Sequence, residues 1–320
     1  MTPQQKYDLI ISRQAHFQWG DVYIPSTLVV PGEAPKGSRV SKLNSRKLGR
    51  TLHALSTPER IFTQLALHHP ALLDIHEQKM LSPVATVHPL RGHPLMIGKF
   101  PTPLPGTLKI ATEIGFKHYK IVKKYPDGRR QYVAFPYQGD LLLYMIGCDG
   151  NPYAVNWSVK DTKEAFSERR RLSVKTPAQQ KKDRDHAELR AKLEAEYYAR
   201  AGIRTVQVAM DMIDPMVIAN LDLLFGMHSL PVTHESQLMA DFSCAIQEAF
   251  TEGVPLAHVA IKYGAHWGSR DQFLAKIYQD IWERKLPVNF FKPILIDHPL
   301  CCERKDLFSV YGELFEEFEA

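Results

Sequence analysis

Glu59, Asp140 and Lys160 are the residues of this chain whose types and surroundings suit chemistry on a phosphodiester. Carboxylates offer the hard oxygen ligands that magnesium prefers, and the ion keeps several waters when it binds them. One or two such ions against a scissile phosphate activate a water and neutralise the leaving oxygen. A lysine ammonium is a compact point charge that can orient or deprotonate that water, or stabilise the pentavalent phosphate. Each residue also has a plainer reading. Glu59 suits a helix-capping glutamate, and Asp140 with Lys160 suits a surface cross-strand ion pair worth under about 1 kcal/mol. Their joint spacing is what points to a site.

The elements that must position them follow from local pattern. In residues 153–160, Tyr153, Val155, Trp157 and Val159 alternate with Ala154, Asn156, Ser158 and Lys160. The pattern predicts a strand with one core face and one small polar face that ends in the lysine. Residues 140–147 read as a second strand, joined to the first through Asp149-Gly150-Asn151, a hairpin signal. A three-residue loop over 149–151 sets Asp140 opposite Lys160, with Cβ atoms roughly 5 Å apart. A two-residue Asp-Gly loop sets Asp140 opposite Val159 instead, and the sequence leaves the choice open. Ser56 caps a helix with Pro58 in its first turn and Glu59 three residues after the cap. Ile61, Phe62, Leu65 and Ala66 carry the apolar stripe on until Pro70.

Around this core, residues 72–79 read as a strand, residues 81–108 as a loop with six prolines, and the stretch near 106–114 as a short helix. Strand material resumes at 131–133, a long charged helix covers about 177–201, and 203–209 is a further strand. Helix, strands, helix, strand is an α/β pattern with a mixed sheet. From about 230 the chain turns helical, over 237–250, 254–263 and 271–284. The last two are separated by 264–269, with Ser269 as a cap, and 286–291 follows as a short strand. That order suits a winged-helix module, as it does other small helical domains.

With 320 residues, 44% hydrophobic and 23% charged, the chain is long enough for two globular domains. No run approaches the roughly 18 apolar residues that span a bilayer. The N-terminus has no long apolar stretch or small-residue cleavage site, so a cytoplasmic protein is expected. Cys148, Cys244 and the adjacent Cys301 and Cys302 suit neither a disulfide framework nor a zinc site, and are expected to be small core residues or reduced thiols. The fourteen histidines form no helical metal pair flanked by acids, and none is given a role. The net charge of +5 is unevenly spread. Residues 36–50 carry Lys36, Arg39, Lys42, Arg46, Lys47 and Arg50 with no acid; residues 169–192 are also rich in Lys and Arg, diluted by acids. Such clusters are the footprint of a polyanion partner, or else a solvated tail and helix face. Residues 25–50, rich in Pro, Gly and Ser, read as an extended arm. Residues 312–320 form an acidic-apolar tail, either a dock for a basic partner or a frayed terminal helix.

Several short blocks occur in an order that resembles the TnsA family, the endonuclease subunits of heteromeric cut-and-paste bacterial transposons. They are His53 to Arg60, Glu77-Gln78, Ile110 to His118, Gly139 to Leu143, Ser158-Val159-Lys160, and Lys192 to Tyr198 followed by Gly202-Ile203. The resemblance covers roughly residues 45–225. It implies a restriction-endonuclease-like mixed-sheet core over 51–225, a basic N-terminal arm over 1–50 and a helical, winged-helix-like partner or DNA-binding domain over 230–320. It implies Glu59, Asp140 and Lys160 as catalytic residues, with Glu59, Asp140 and Ser158 at one or two Mg2+ ions that Mn2+ can replace. Related chains carry glutamine where Ser158 stands; the shorter hydroxyl is a weaker ligand, and Asn156 on the same face could compensate. Arg39, Lys42, Arg46, Lys47 and Arg50 would contact DNA. The implied partners are transposon-end DNA, a DDE-type transposase and an AAA+ ATPase regulator, at the bacterial nucleoid. Two further readings stay open: a stand-alone restriction or repair nuclease, and a non-catalytic DNA-binding assembly subunit.

Overall fold

A computed structural model describes residues 1–14, 19–35, 37–167 and 176–318. In chain order the elements are α1 (Pro3–Gln14), β1 (Ser41–Ser45), β2 (Arg50–Ala54), α2 (Thr57–His68), β3 (Leu72–Glu77), β4 (Met80–Leu81), α3 (Thr107–Glu113), β5 (Lys120–Lys124), β6 (Arg130–Ala134), β7 (Tyr137–Gln138), β8 (Leu141–Ile146), β9 (Pro152–Lys160), α4 (Pro177–Ala199), β10 (Arg204–Ala209), α5 (Pro215–His228), α6 (Ser236–Glu252), α7 (Leu256–Trp267), α8 (Arg270–Trp282) and α9 (Leu307–Tyr311). The chain divides into two compact units. One comprises residues 1–66, 70–212 and 314–320, the other residues 67–69 and 213–313. The fold is α/β, and the boundary falls at 212/213 rather than near 225–230.

The first unit is built on a four-stranded sheet in the order β10-β9-β8-β3. β3, β8 and β9 run antiparallel, and α4 carries the chain across so that β10 lies parallel to β9. The alternation of β9 persists although both of its faces are covered. Trp157 is fully buried against Phe62 of α2, its ring centroid 5.6 Å away, and against Phe315, 4.9 Å away. On the other face Leu142, Tyr144 and Ala154 pack with Leu193, Tyr197 and Tyr198 of α4. Each such large apolar side chain contributes about 1.5–3 kcal/mol when fully buried. The face expected to be merely small and polar is therefore roofed by a helix. α4 begins with a capping box, in which the Thr176 side chain accepts from the Gln179 N–H and Pro177 follows at the first turn.

Residues 25–50 are not an arm throughout. β1 and β2 form an antiparallel hairpin with Leu43, Leu48 and Leu52 buried, Leu43 and Leu52 facing each other across it on the side that period-two alternation turns inward. β5 and β6 form another hairpin, one face of which lies on α1: Lys123 pairs with Asp8 at 2.8 Å, and Gln4 bonds both the N–H and the carbonyl of Lys124. Within the terminal segment Leu314 and Phe315 are tied down, since the Trp157 indole donates to the Leu314 carbonyl at 2.7 Å and the Tyr153 hydroxyl to that of Phe315 at 3.0 Å. All four cysteines are exposed free thiols rather than core residues.

The second unit contains α5 to α9. Phe242, Tyr263 and Phe273 cluster where α6, α7 and α8 meet, with centroids 4.9–5.6 Å apart. α7 runs through Gly264 to Trp267, and the turn to α8 is made by Gly268 and Ser269, both at positive φ; Ser269 makes no side-chain cap bond. Within α8 only the first two residues, Arg270 and Asp271, are exposed. Residues 286–291 supply one isolated bridge, Val288 to Cys302, instead of a strand. Among the described residues no helix is long and apolar enough to cross a membrane.

Candidate functional site

The β8–β9 hairpin closes where the Gly147 N–H donates to the Asn151 carbonyl at 2.8 Å, leaving Cys148, Asp149 and Gly150 as the tip. Gly150 lies at φ 76, a left-handed turn that favours glycine. The loop is three residues long as one alternative required, but it spans 148–150. Paired positions run from Leu141 with Trp157 to Ile146 with Pro152. Continued by one step, that register sets Asp140 beside Ser158, not Lys160. Parity is preserved, so Asp140, Asn156, Ser158 and Lys160 share a face. The lysine reaches back diagonally: its Nζ lies 3.6 Å from Asp140 Oδ2. The same Oδ2 accepts the Val159 N–H at 2.7 Å, and Lys160 Nζ donates to the Val159 carbonyl at 2.9 Å.

Asp140 is fixed from its other side by the turn after β3. The Gln78 N–H donates to the Asp140 carbonyl at 2.9 Å, and the Gly139 N–H to that of Lys79 at 2.9 Å. Gln78 holds φ 45, which costs a residue with a Cβ on the order of 1 kcal/mol. Its side chain then donates to Glu59 Oε2 at 3.0 Å, so one strained residue ties Glu59 to the Asp140 backbone. Glu59 also accepts from the Leu55 N–H at 2.9 Å and from the Ser56 hydroxyl at 2.9 Å. It does cap its own helix, yet it is only 8% exposed, and burial, helped by the charge of Asp140, pushes its carboxyl up to about 7. Asp140 and Glu59 thus bring two carboxylates into electrostatic contact, and among the described residues no group of three or more His, Cys, Asp or Glu side chains gathers as a metal site. Among the described residues Glu59 Oε1 has a single hydrogen-bond donor, and the Gln78 Oε1 is buried with no partner. The donors are oxygens, as Mg2+ requires, and they are too few to enclose it, so an ion here would retain waters.

A third carboxylate lies on the roof. Glu194 of α4 is buried and receives the Asn156 amide at 3.0 Å. Burial raises its pKa, Arg190 pulls it back, and Asp140 raises it further. Glu194 lines a pocket of about 280 Å³ with Ser158, Lys192, Thr205 and Gln207. Gln207 is the direct β10 neighbour of Ser158, and Thr205 that of Asn156. A Cβ added at Gly139 would lie 3.4 Å from both Asn156 Oδ1 and Glu194 Oε1, so the residue before Asp140 sits close against the roof. Glu194, Gln207 and Gln78 were not anticipated. The i, i+4 pair Arg190–Glu194 was visible on the charged helix, whereas Gln207 becomes a neighbour only through parallel pairing, which local pattern does not specify.

The five expected DNA contacts divide. Arg39, Lys42, Arg46 and Lys47 are exposed, although burial around the Lys47 ammonium lowers its pKa to about 8. Arg50 is not available: its guanidinium is buried in a two-pronged pair with Glu77, at 2.8 and 2.9 Å, and donates also to the Ile75 carbonyl. It compensates a buried carboxylate in a core position of β2, which its place in a basic run concealed. Lys36 and residues 168–175, which include the start of the second basic stretch, lie outside the described residues. No protein-family model matches the chain, and no curated protein matches it in sequence.

Proposed function

We propose that the chain is a Mg2+-dependent DNA endonuclease, the strand-cutting subunit of a heteromeric transposase that acts at transposon ends. The observation that carries this reading is the meeting of Asp140 and Lys160 at one carboxylate oxygen, with Glu59 raised to about 7 beside them. Together with the sequence blocks that resemble TnsA, the mixed sheet supports a restriction-endonuclease-like core. Glu59 and Asp140 would hold the ion, which on binding would activate water and neutralise the leaving oxygen. Lys160 places a positive charge where the pentavalent phosphate develops its own charge, and Asp140 fixes that ammonium at 3.6 Å. Ser158 would contact such an ion at most through water, with Gln207 its neighbour on β10 and the Asn156 Oδ1 buried without a partner on the same face.

Transposon-end DNA, a DDE-type transposase and an AAA+ regulator are the partners in this reading. Residues 230–320 supply protein contacts; the winged-helix-like assignment would rely mainly on α7 and the start of α8, because later residues of α8 are buried or half-buried. The test is strand nicking of transposon-end DNA with Mg2+ and the transposase present. Lys160→Ala should lose about 100-fold or more in rate with unchanged DNA affinity. Nicking at the wild-type rate overturns the assignment, and nicking without any transposase favours a stand-alone nuclease. A non-catalytic assembly subunit draws support from the three hydrogen bonds that already occupy Glu59. Titration calorimetry with Mg2+ and Mn2+ that shows no binding would select it.

A further inference from the structure

The β5–β6 hairpin has one face on α1 and one face open. The pairs Lys120–Ala134, Val122–Tyr132 and Lys124–Arg130 alternate with Ile121–Val133 and Lys123–Gln131, so Lys120, Val122, Lys124, Arg130 and Tyr132 share the open face. Tyr132 is 75% exposed and Tyr119, just before β5, 51%. Lys117, Lys120, Lys124 and Arg130 are all exposed as well. The two remaining cations of the hairpin are committed elsewhere, Lys123 to Asp8 and Arg129 to Asp127, the hairpin's single acid. Beside this face runs a groove of about 1060 Å³, lined by Phe116, Tyr119, Tyr132, Tyr137 and His186, with Lys117 and Lys120 at its sides. Exposed rings between unopposed cations are what a nucleic-acid strand requires: flat faces for bases and positive charge for phosphates. A folded polypeptide segment would need apolar area that these lysines interrupt.

The groove and the candidate site are bordered by the same helix. His186, Arg190 and Glu194 fall at i, i+4 and i+8 on α4, one face of the helix. His186 packs on Phe116 at 5.2 Å, the Arg190 guanidinium lies 4.5 Å over the Tyr137 ring, and Glu194 borders the Ser158 pocket. Tyr137 is three residues before Asp140. We propose that this open face and groove hold an unpaired DNA strand leading to or from the Asp140 site, with bases against Tyr119 and Tyr132 and phosphates against Lys117, Lys120, Lys124 and Arg130. The direction of that strand rests on the nuclease reading; the binding does not.

The experiment is fluorescence polarisation of the full chain with a labelled duplex carrying a single-stranded oligothymidine tail, against the same duplex with blunt ends. The tailed duplex should bind more tightly. Tyr119→Ala with Tyr132→Ala should remove that preference, a loss of about tenfold or more given the worth of one base–aromatic stack, and leave blunt-end binding unchanged. Lys120→Ala with Arg130→Ala should lower the salt dependence of tailed binding by roughly 0.7 per charge. Equal affinity for both duplexes, or a preference that survives the tyrosine pair, overturns the proposal. So does an equal loss on both duplexes, which would make the face a duplex surface. Run alongside, Lys160→Ala separates the two readings. Tail preference with no metal-dependent nicking by the wild type sinks only the nuclease, and nicking without tail preference sinks only the groove.

Discussion

Glu59 is asked to do two things that conflict in an ion-free protein. It accepts three hydrogen bonds, two from the start of its own helix and one from the Gln78 amide, which favour its charge, yet it is buried beside Asp140, which opposes it. Opposition wins, since the carboxyl sits near 7 instead of 4.5. Between those two values the folded chain keeps a proton that the unfolded chain has released, so stability falls as pH rises through that window. Wild type without metal should therefore melt lower at pH 8 than at pH 5. Glu59→Gln should flatten that dependence and, at pH 8, exceed wild type by on the order of 2–3 kcal/mol. Added Mg2+ should restore wild type at pH 8 and leave Glu59→Gln unmoved, because an ion that binds only the folded state stabilises it by mass action. Denaturant titrations at the two pH values measure both effects; a wild type equally stable at each would contradict the argument.

At the scale of elements, the site depends on hairpin parity. Deleting Gly150 would leave a two-residue tip and offset one strand by a single position. Asn156, Ser158 and Lys160 would then exchange faces with Val155, Trp157 and Val159, putting a buried indole in the pocket and a lysine in the core. Loss of a cooperative unfolding transition is expected, whereas an alanine inserted together with a second residue should fold and lose nicking only. The same hairpin shows what local sequence encodes. Alternation in 153–160 specified the strand and the shared face, because a period of two survives any even shift. It could not fix the absolute register, which the Gly147–Asn151 closure decides. The capped helix α2 was legible from Ser56, where capping is a local property, and α4 from its charged run over about 177–201. β5, α5, the buried pairing of Arg50 and the covering of the polar face by α4 were not legible. The last two depend on partners far along the chain, whereas β5 pairs with the adjacent β6 and its sequence, Lys120-Ile121-Val122-Lys123-Lys124, carries no clear alternation.

For the whole molecule, positive charge is segregated rather than large. Removing Arg39, Lys42, Arg46 and Lys47 together should lower the slope of log affinity for duplex DNA against log salt by about 0.9 for each phosphate that is no longer neutralised, with little change in melting temperature. Arg50→Ala should do the reverse. It strands the buried Glu77 and costs about 3–5 kcal/mol of stability, so its effect on DNA appears as unfolding and not as a change in slope. Melting curves and salt titrations of the two variants, compared directly, check the division of the basic run into surface and core.

The return of Leu314 and Phe315 to cover Trp157 has a topological consequence. Residues 213–313 are an insertion into the first unit, which is sewn shut only by its last few residues. A fragment stopping at Met212 is thus a split protein that lacks one wall of its core, with the indole N–H of Trp157 robbed of its acceptor. It should be made whole by the missing peptide supplied in trans, and the register of that complementation would show directly in the emission of Trp157.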